Sequence, residues 1–436
     1  HSRMLRELSG PFLETIGRSA LAEIQIKKLQ LMLEPLLRDN TFVADRMRGA
    51  EVERPEDVAS MADYRRLPFT TKEQLAQDQA EHPPYGTNLT FPRDAYTRFH
   101  QTSATSGQPL YWLDTLESWA WWARCWESVY RAAAVTAEDR VFFAFSFGPY
   151  IGFWGGFAAA KRVGAMVIPG GGMSTQQRVR AIAVNDVTVV VCTPSYALHM
   201  AEVAEQIGVD LPAGSVRVTI HAGEPGASIP STKGRLDRLW GATCFDHAGS
   251  TEVGAWGFEC GERTGLHINE GEFIAEVLDP STGEPADEGE LVVTNLGRIG
   301  MPVIRYRTGD RVRRAPEPCG CGRSFARLDG GVIGRIDDAI GVRGVNVFPS
   351  AIEDVVRRFP EVGEFAVDVF RRDRLDEIEI RIEVAGADPD PLAKAVTEEF
   401  RNALGLRVHV RPVGHGTLPH FAGRTQRFVD HRVDAD

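Results

Sequence analysis

Residues 140–222 read RVFFAFSFGPYIGFWGGFAAAKRVGAMVIPGGGMSTQQRVRAIAVNDVTVVVCTPSYALHMAEVAEQIGVDLPAGSVRVTIHA, and this stretch decides the fold class. Short apolar runs alternate with longer segments in which apolar residues recur at helical spacing. Apolar strands that alternate with helices indicate a parallel sheet covered on both faces. The pattern predicts strands at 140–147, 165–169, 187–194 and 215–223, with helices between them at 152–164, 175–186 and 195–208.

The segments on either side of this stretch have a different texture. Residues 4–60 read as mostly helical, and 117–135 read as one helix. Three tryptophans of that helix share one face, and we expect them to pack in the core: Trp119, Trp122 and Trp126. From about residue 265 short strands and turns predict a mostly antiparallel region.

The C-terminal part of the chain predicts a small α+β domain. Strands at 365–372, 377–384 and 407–413 and a helix at 390–404 follow a break near Asp337. We therefore predict an α/β fold with two domains, a large one over residues 1–336 and a small one over 337–436. The large domain would include a small β-rich subdomain at about 257–330.

Composition and charge narrow the class of protein. The chain has 436 residues, with 49 Lys and Arg against 60 Asp and Glu, and a formal net charge of −11. A general nucleic-acid or anionic-membrane binder needs a basic surface, so this balance argues against both. The sequence contains no uncharged apolar run long enough to cross a bilayer and no apolar core of a signal peptide. These features predict a cytoplasmic protein.

The loop TSATSGQP, residues 102–109, places three hydroxyl residues and a glycine between two predicted strands. Such residues dominate ordinary solvent-facing turns. They also form phosphate cradles, in which hydroxyls and backbone N–H groups converge on anionic oxygens. Four further fragments follow in order: AGEP (222–225), DHAGSTE (246–252), PVIRYRTGD (302–310) and GRIDDAIGVRGVNVFPSAIE (334–353).

Together these five fragments resemble the motifs of adenylate-forming enzymes, and most closely those of the phenylacetate–coenzyme A ligases and related aryl–coenzyme A ligases. The resemblance runs from about residue 60 to the C-terminus. It implies that a carboxylate is joined to the α-phosphate of ATP with loss of pyrophosphate. The thiol of coenzyme A then displaces AMP, and the small C-terminal domain rotates between the two half-reactions. Because the attack brings two anions together, the site must supply positive charge and hydrogen-bond donors.

The resemblance also implies a role for individual residues. Glu252 would hold Mg²⁺, Thr251 would contact the α-phosphate, and Asp310 would accept the ribose hydroxyls. The C-terminal domain would pivot at Asp337 and meet coenzyme A through Arg343 and Gly344. The remaining nucleotide contacts would come from Ser103, Thr105, Ser106 and Gly107 at the phosphates, from Ala222, Gly223, Glu224 and Pro225 at the adenine, and from Asp246, His247 and Arg335.

Three positions depart from the family pattern. Relatives usually have lysine at Gln108, an aromatic residue at Ala248, and a catalytic lysine at Arg424. Arginine keeps the charge but is a wide planar fork, whereas an ammonium is a compact point charge. One interpretation is that Arg424 does the work of the lysine in adenylation. The alternatives are an acyltransferase that moves an aryl group from coenzyme A to a carrier protein, and a non-catalytic nucleotide-binding relative.

The acid itself is predicted to be flat and aromatic. Aromatic residues after the first parallel strand could form a wall, and Gly155 and Gly156 would leave room for a ring, although core packing explains some of these residues equally well. His221 and His247 could hydrogen-bond a ring substituent. A hydroxylated or amino-substituted benzoate is therefore preferred over phenylacetate. The predicted pocket residues are Phe147, Tyr150, Phe153, Trp154, His221, Ala248 and Gly249.

Four residues of the β-rich region predict a structural zinc site: Cys260, His267, Cys319 and Cys321. Three thiolates and one imidazole form a closed tetrahedral Zn²⁺ set. The alternative is four unrelated loop residues, since a Cys-x-Cys spacing is shorter than usual. The predicted cofactors are thus ATP, Mg²⁺, coenzyme A and Zn²⁺. The predicted partners are an aryl acid, with a carrier protein and a homodimer as further candidates.

Overall fold

The computed structural model describes residues 2–102, 109–336, 340–342, 345–372, 375–384, 388–418 and 427–432. The helices are α1 (Ser2–Glu7), α2 (Arg18–Asp39), α3 (Thr41–Gly49), α4 (Met61–Tyr64), α5 (Lys72–Glu81), α6 (Leu116–Ala132), α7 (Trp154–Val163), α8 (Thr175–Val184), α9 (Pro194–Gln206), α10 (Pro230–Trp240), α11 (Pro349–Arg357) and α12 (Pro389–Leu404).

The strands follow the predicted alternation and then the predicted change to short strands. They are β1 (Tyr96–Gln101), β2 (Tyr111–Thr115), β3 (Arg140–Phe143), β4 (Met166–Pro169), β5 (Val189–Cys192), β6 (Val218–His221), β7 (Thr243–Ser250), β8 (Gly254–Glu259), β9 (Leu266–Ile268), β10 (Phe273–Leu278), β11 (Glu288–Asn295), β12 (Tyr306–Arg314), β13 (Arg327–Arg335), β14 (Ile340–Val342), β15 (Val345–Val347), β16 (Val362–Arg372), β17 (Leu375–Val384), β18 (His409–Val413) and β19 (Phe428–Asp430).

The chain divides into two compact units. One comprises residues 1–172, 187–191 and 245–331, and the other comprises 173–186, 192–244 and 332–436. The predicted pivot Asp337 lies outside the described residues, and the predicted domain limits stay a prediction. Among the described residues, no helix is both long enough and apolar enough to span a bilayer.

The first unit holds β3, β4, most of β5 and most of the antiparallel strands, whereas β6 lies in the second unit. β3 pairs in parallel with β4 and with β5, so that Phe142 faces Ile168 in one ladder and Val190 in the other. β10, β11 and β12 form an antiparallel ladder, as do β7, β8, β9 and β13. The predicted core helix is α6, whose Trp119, Trp122 and Trp126 are all buried, as expected.

The second unit contains a separate sheet in the order β18-β17-β16-β19. Its central pair, β16 and β17, is antiparallel, while β18 and β19 join the two edges in parallel. Ile352 and Val356 of α11 and Val396 and Phe400 of α12 pack with this sheet in one buried apolar core. The α/β fold class, with a large mixed sheet and a separate smaller one, is confirmed.

Candidate active site

The strands on either side of residues 103–108 pair with each other. Gln101, the last residue of β1, pairs with Tyr111, the first residue of β2. The Thr102 N–H donates to the Leu110 carbonyl at 2.9 Å, and the Leu110 N–H donates to Thr102 Oγ1 at 3.0 Å. The predicted phosphate ligands lie outside the described residues, so their role stays a prediction: Ser103, Thr105, Ser106 and Gly107, with the departure Gln108.

Thr251 and Glu252 lie in the turn that joins β7 to β8. Ser250 pairs with Gly254 across the hairpin, and the register shifts between Ala248 and Ser250. A side chain on Gly249 would place its Cβ 2.7 Å from the Gly254 carbonyl oxygen, so only glycine fits between the two strands here. Both predicted catalytic side chains are half-buried at the end of this hairpin.

The strand before that turn carries Asp246, His247 and Ala248. The Asp246 N–H donates to Glu259 Oε2 at 3.0 Å. His247 Nδ1 donates to the Gly257 carbonyl at 2.6 Å, and its ring lies 4.2 Å from that of Trp126, measured between centroids. Burial lowers the pKa of His247 to about 4, so the ring is neutral near pH 7.

Asp310 lies in a bulge of β12. Glu290 pairs with Arg311 and Val292 pairs with Arg307, so residues 308–310 together face a single residue of β11. Gly309 takes a left-handed φ of 72°, which glycine adopts without strain. Bulges of this kind redirect side chains and are frequent beside active sites. The bulge places Asp310 outside the regular register of β12.

His221 is the last residue of β6 in the second unit, and the predicted adenine stretch follows it directly. Glu224 Oε1 accepts the Ser195 N–H at 2.7 Å, at the first turn of α9. His221 is fully buried, and its Nδ1 donates to the Cys192 carbonyl at 3.1 Å. Burial lowers the pKa of His221 to about 4. The side chains of both residues are therefore engaged within the unit, while the predicted contacts of Ala222, Gly223 and Pro225 stay predictions.

The predicted aromatic wall is partly assembled. The rings of Phe147 and Trp154 lie 4.8 Å apart in an edge-on arrangement, and Trp154 Nε1 donates to the Gly148 carbonyl at 3.1 Å. Tyr150 is 46% exposed, and Phe153 is buried. Phe147 has a φ of 55°, a strained value for a bulky residue.

The space predicted beside Gly155 and Gly156 is not open. A Cβ on Gly155 would lie 2.9 Å from Trp126 Cδ1, and one on Gly156 would lie 3.1 Å from the Tyr130 hydroxyl. These glycines allow α7 to approach the large side chains of α6. The expectation that they leave room for a substrate ring is therefore wrong.

Cys260, His267, Cys319 and Cys321 come together although they are far apart in sequence. Their ligand atoms all lie within 4.8 Å of one another. Cys260 Sγ is 3.6 Å from Cys319 Sγ, and Cys321 Sγ is 3.4 Å from His267 Nε2. His267 Nδ1 donates to the Phe325 carbonyl at 3.2 Å, which leaves Nε2 for a metal. Burial lowers the pKa of His267 to about 4.

The C-terminal predictions fall largely outside the described residues. Arg343, Gly344 and Arg424 are among these, whereas Arg335 is the exposed last residue of β13. Residues 419–426 carry Arg424, and buried carboxylates hold the residues on both sides of that segment. Glu383 Oε1 accepts the Leu418 N–H at 2.5 Å, and Glu364 accepts Arg427 Nε at 2.9 Å and Nη2 at 3.2 Å.

Sequence comparison shows which protein family this chain belongs to. The family model of the AMP-binding enzyme C-terminal domain matches residues 344–432. The phenylacetate–coenzyme A ligase of Escherichia coli (strain K12) is 30% identical over 435 residues, which cover 96% of this chain and 97% of that enzyme. The enzyme of the same name from Thermus thermophilus is 32% identical over 396 residues, covering 89% of this chain and 86% of that enzyme. The chain belongs to the phenylacetate–coenzyme A ligase family.

Solved structures agree with this family. A 2-hydroxyisobutyryl–coenzyme A ligase in the postadenylation state, bound to R3-HIB-AMP, has a TM-score of 0.92 at 25% identity, covering 97% of this chain and 92% of that one. The same enzyme with 2-HIB-AMP and coenzyme A has a TM-score of 0.73 at 26% identity, with the same coverage. The resemblance read from the sequence motifs, an adenylate-forming acid–coenzyme A ligase, is thus confirmed for the family.

One residue in this phenylacetate–coenzyme A ligase family member escaped the motif analysis. Arg298 is fully buried and donates to the Thr251 carbonyl at 2.6 Å and to the Glu252 carbonyl at 3.2 Å. It lies four residues before the PVIRYRTGD motif, in a run that is otherwise apolar or glycine-rich. A charged residue within such a run is the signal that could have pointed to it, because buried arginines are rare unless paired.

Proposed function

We propose that the protein activates an aryl or arylacetic acid with ATP and transfers it to coenzyme A. A carboxylate oxygen of the acid attacks the α-phosphorus, and pyrophosphate leaves. The thiolate of coenzyme A then attacks the carbonyl carbon of the acyl-adenylate, and AMP leaves. The observation that carries this proposal is the identity of 30% to a phenylacetate–coenzyme A ligase over 97% of that enzyme.

The roles proposed for the nucleotide residues follow from their chemistry. The Glu252 carboxylate would hold Mg²⁺, a hard cation that prefers oxygen ligands and neutralises phosphate charge. The Thr251 hydroxyl would donate to the α-phosphate. Asp310, which lies in the bulge of β12, would accept both ribose hydroxyls. We propose the loop 103–107 for the β- and γ-phosphates, residues 222–225 for the adenine, and Arg343 and Gly344 for coenzyme A.

The acid we propose is a benzoate with a hydroxyl or amino substituent, followed by phenylacetate. The edge-on pair Phe147 and Trp154 supports an aromatic ring nearby, since aromatic rings prefer this geometry. Neutral His247 can hydrogen-bond a substituent without adding charge. Both features fit a flat, polar-substituted ring better than a long alkyl chain.

A panel of acids tests the proposal. We expect pyrophosphate release with ATP, Mg²⁺ and at least one substituted benzoate or phenylacetate, and formation of the matching acyl–coenzyme A when coenzyme A is added. Alkanoates of similar size are the control and should react at least about tenfold more slowly, because they lose the aromatic contacts. Silence across the panel, with transfer from preformed acyl–coenzyme A intact, would instead support the acyltransferase, the alternative that the Arg424 departure raises.

We also propose that the four-residue cluster of the β-rich region holds one structural Zn²⁺. Its Cys₃His set and mutual distances below 4.8 Å fit tetrahedral coordination, and the His267 Nδ1 hydrogen bond orients the ring for binding. The metal would join the turn after β8, strand β9 and the loop before β13. The ion would cross-link these three segments.

Removing one zinc ligand should cost zinc and thermal stability together. We expect about one zinc per purified chain, and loss of it in Cys319→Ser. Because such sites contribute several kcal/mol and a domain of this size loses about 2–4 °C per kcal/mol, the melting temperature should fall by roughly 10 °C. Cys125→Ala, a buried cysteine outside the cluster, is the control and should keep its zinc. A wild-type protein without zinc would contradict the proposal.

A further inference from the structure

The first unit contains a buried ion pair for which the proposed reaction assigns no role. Arg298 Nε donates to Asp114 Oδ1 at 2.8 Å and Nη2 donates to Oδ2 at 2.7 Å, with both side chains 0% exposed. The indoles of Trp112 and Trp122 flank the guanidinium, with ring centroids 4.9 and 5.6 Å from its carbon. The guanidinium is thus fixed by a two-point carboxylate contact and by aromatic faces.

The remaining face of Arg298 is directed at the turn between β7 and β8. Its Nη1 donates to the carbonyl oxygens of Thr251 and Glu252. Asn295, also fully buried, donates from Nδ2 to the Val253 carbonyl at 3.2 Å. Three consecutive carbonyls of the turn therefore accept hydrogen bonds from buried side chains.

Stability alone does not explain a pair of this kind. Removing two charges from water carries a desolvation cost that can equal or exceed their attraction, and apolar replacements are often as stable. What a two-point Arg–carboxylate contact does provide is a fixed geometry. The backbone of Thr251 and Glu252 is thus held by a contact that has a fixed geometry and a high desolvation free energy.

Asp114 connects the turn to a second part of the site. It lies on β2, the strand that follows the loop 103–108, and pairs in the ladder with Arg98 of β1. The pair therefore joins the strands that carry the phosphate loop to the turn that carries the metal and α-phosphate ligands. The residues proposed to bind the two ends of the triphosphate would then have fixed positions relative to the same ion pair.

We propose that Arg298 and Asp114 are positioning residues for adenylation, an inference that rests on the proposed function. The pair fixes the Thr251–Glu252 turn relative to the strand after the phosphate loop, so that Mg²⁺·ATP meets its ligands at fixed distances. Neither residue touches the substrate. We call the pair of Arg298 and Asp114 the brace. Misplacement of a reacting group by about 1 Å can slow a reaction about a hundredfold, so loosening the brace should affect catalysis strongly.

Nucleotide binding tests the brace without knowledge of the acid. Calorimetry with Mg²⁺·ATP should show Arg298→Lys and Asp114→Asn binding at least about tenfold more weakly than the wild type, because a Mg²⁺ ligand has lost its fixed position. The Mg²⁺ concentration needed for half-maximal pyrophosphate release should rise by about fivefold or more. Transfer from a chemically prepared acyl-adenylate to coenzyme A, which requires no triphosphate, should change less than about threefold.

A matched pair in the same unit provides the control. Lys28 of α2 is fully buried and donates from Nζ to Glu272 Oε2 at 3.0 Å and to the Gly271 carbonyl at 2.6 Å. Lys28→Met removes a buried charged contact that lies outside the nucleotide motifs. It should lower the melting temperature but leave Mg²⁺·ATP affinity and the half-maximal Mg²⁺ concentration unchanged.

The outcomes separate the inference from the proposed function. If the wild type binds Mg²⁺·ATP and both brace variants bind it equally well, the positioning role of the brace is contradicted, while the proposed ligase function is unaffected. An equal shift in Lys28→Met would also overturn the positioning role, since general loosening would then be the cause. Failure of the wild type to bind ATP would contradict both the positioning role and the proposed function. Asp114→Asn keeps the shape of the side chain, so it carries the test if Arg298→Lys does not fold.

Discussion

Glu252→Gln should slow formation of the acyl-adenylate by about a hundredfold to a thousandfold, the range typical for loss of one group that stabilises developing charge. The attack of a carboxylate on the triphosphate brings two anions together. A carboxylate ligand for Mg²⁺ lets the metal neutralise the phosphate oxygens, and an amide holds the cation less well because it carries no charge.

The loss should be local, because the backbone of Glu252 is held independently of its side chain. Arg298 binds the Thr251 and Glu252 carbonyls, and Asn295 binds the next one. The side chain of Glu252 is only half-buried. The melting temperature should therefore shift by no more than about 2 °C, as for an ordinary surface substitution.

Pyrophosphate exchange at saturating acid measures this effect. Excess Mg²⁺ should restore part of the rate in Glu252→Gln, because a weakened metal site fills at higher concentration. Glu284→Gln makes the same chemical change in an exposed turn between β10 and β11, and its exchange rate should match the wild type. A Glu252→Gln protein that kept more than about a tenth of the rate would remove Glu252 from the proposed metal site.

Periodicity predicted the elements of the fold well and their pairing details poorly. The four strands and three helices read from residues 140–222 all formed, because apolar strands between amphipathic helices have few alternative arrangements. The parallel pairing of β19 with β16 was not predicted, since a three-residue strand has too few positions to show alternation. The bulge at 308–310 also escaped, because register shifts depend on the partner strand.

Parts of the candidate site were predicted well where their residue types have few other roles, and poorly where those types are common. Three cysteines and a histidine were found across some sixty residues because few other roles suit a Cys-x-Cys pair; the structure brings all four together. Arg298 was missed, because a single arginine in a chain with 43 of them carries little information unless its apolar neighbours are considered. The expectation for Gly155 and Gly156 was wrong because a missing side chain admits a neighbouring indole as readily as a ligand.

Arg424→Ala should separate the two half-reactions. We expect adenylation to fall by about a hundredfold to a thousandfold, since the cation beside the α-phosphate is lost. Transfer from a prepared acyl-adenylate to coenzyme A should stay within about threefold, because the proposed role places this position at the α-phosphate only during adenylation. Arg424→Lys should retain adenylation within about tenfold, since it keeps the charge.

The described residues beside the segment 419–426 explain why the position should tolerate either cation. Leu418 is held by Glu383 of β17, and Arg427 is held by Glu364 of β16 through two hydrogen bonds. These buried carboxylates fix residues 418 and 427. Either cation at 424 would thus lie between the same two anchored residues.

Arg401→Ala, which removes an exposed arginine from α12, is the matched control and should leave both half-reactions unchanged. Pyrophosphate exchange reports the first half-reaction, and release of AMP from the prepared adenylate reports the second. Equal loss of both rates in Arg424→Ala would mean that the arginine serves the fold rather than adenylation. Unchanged exchange would mean that another cation meets the α-phosphate, and the assignment of Arg424 to the role of the family lysine would be wrong.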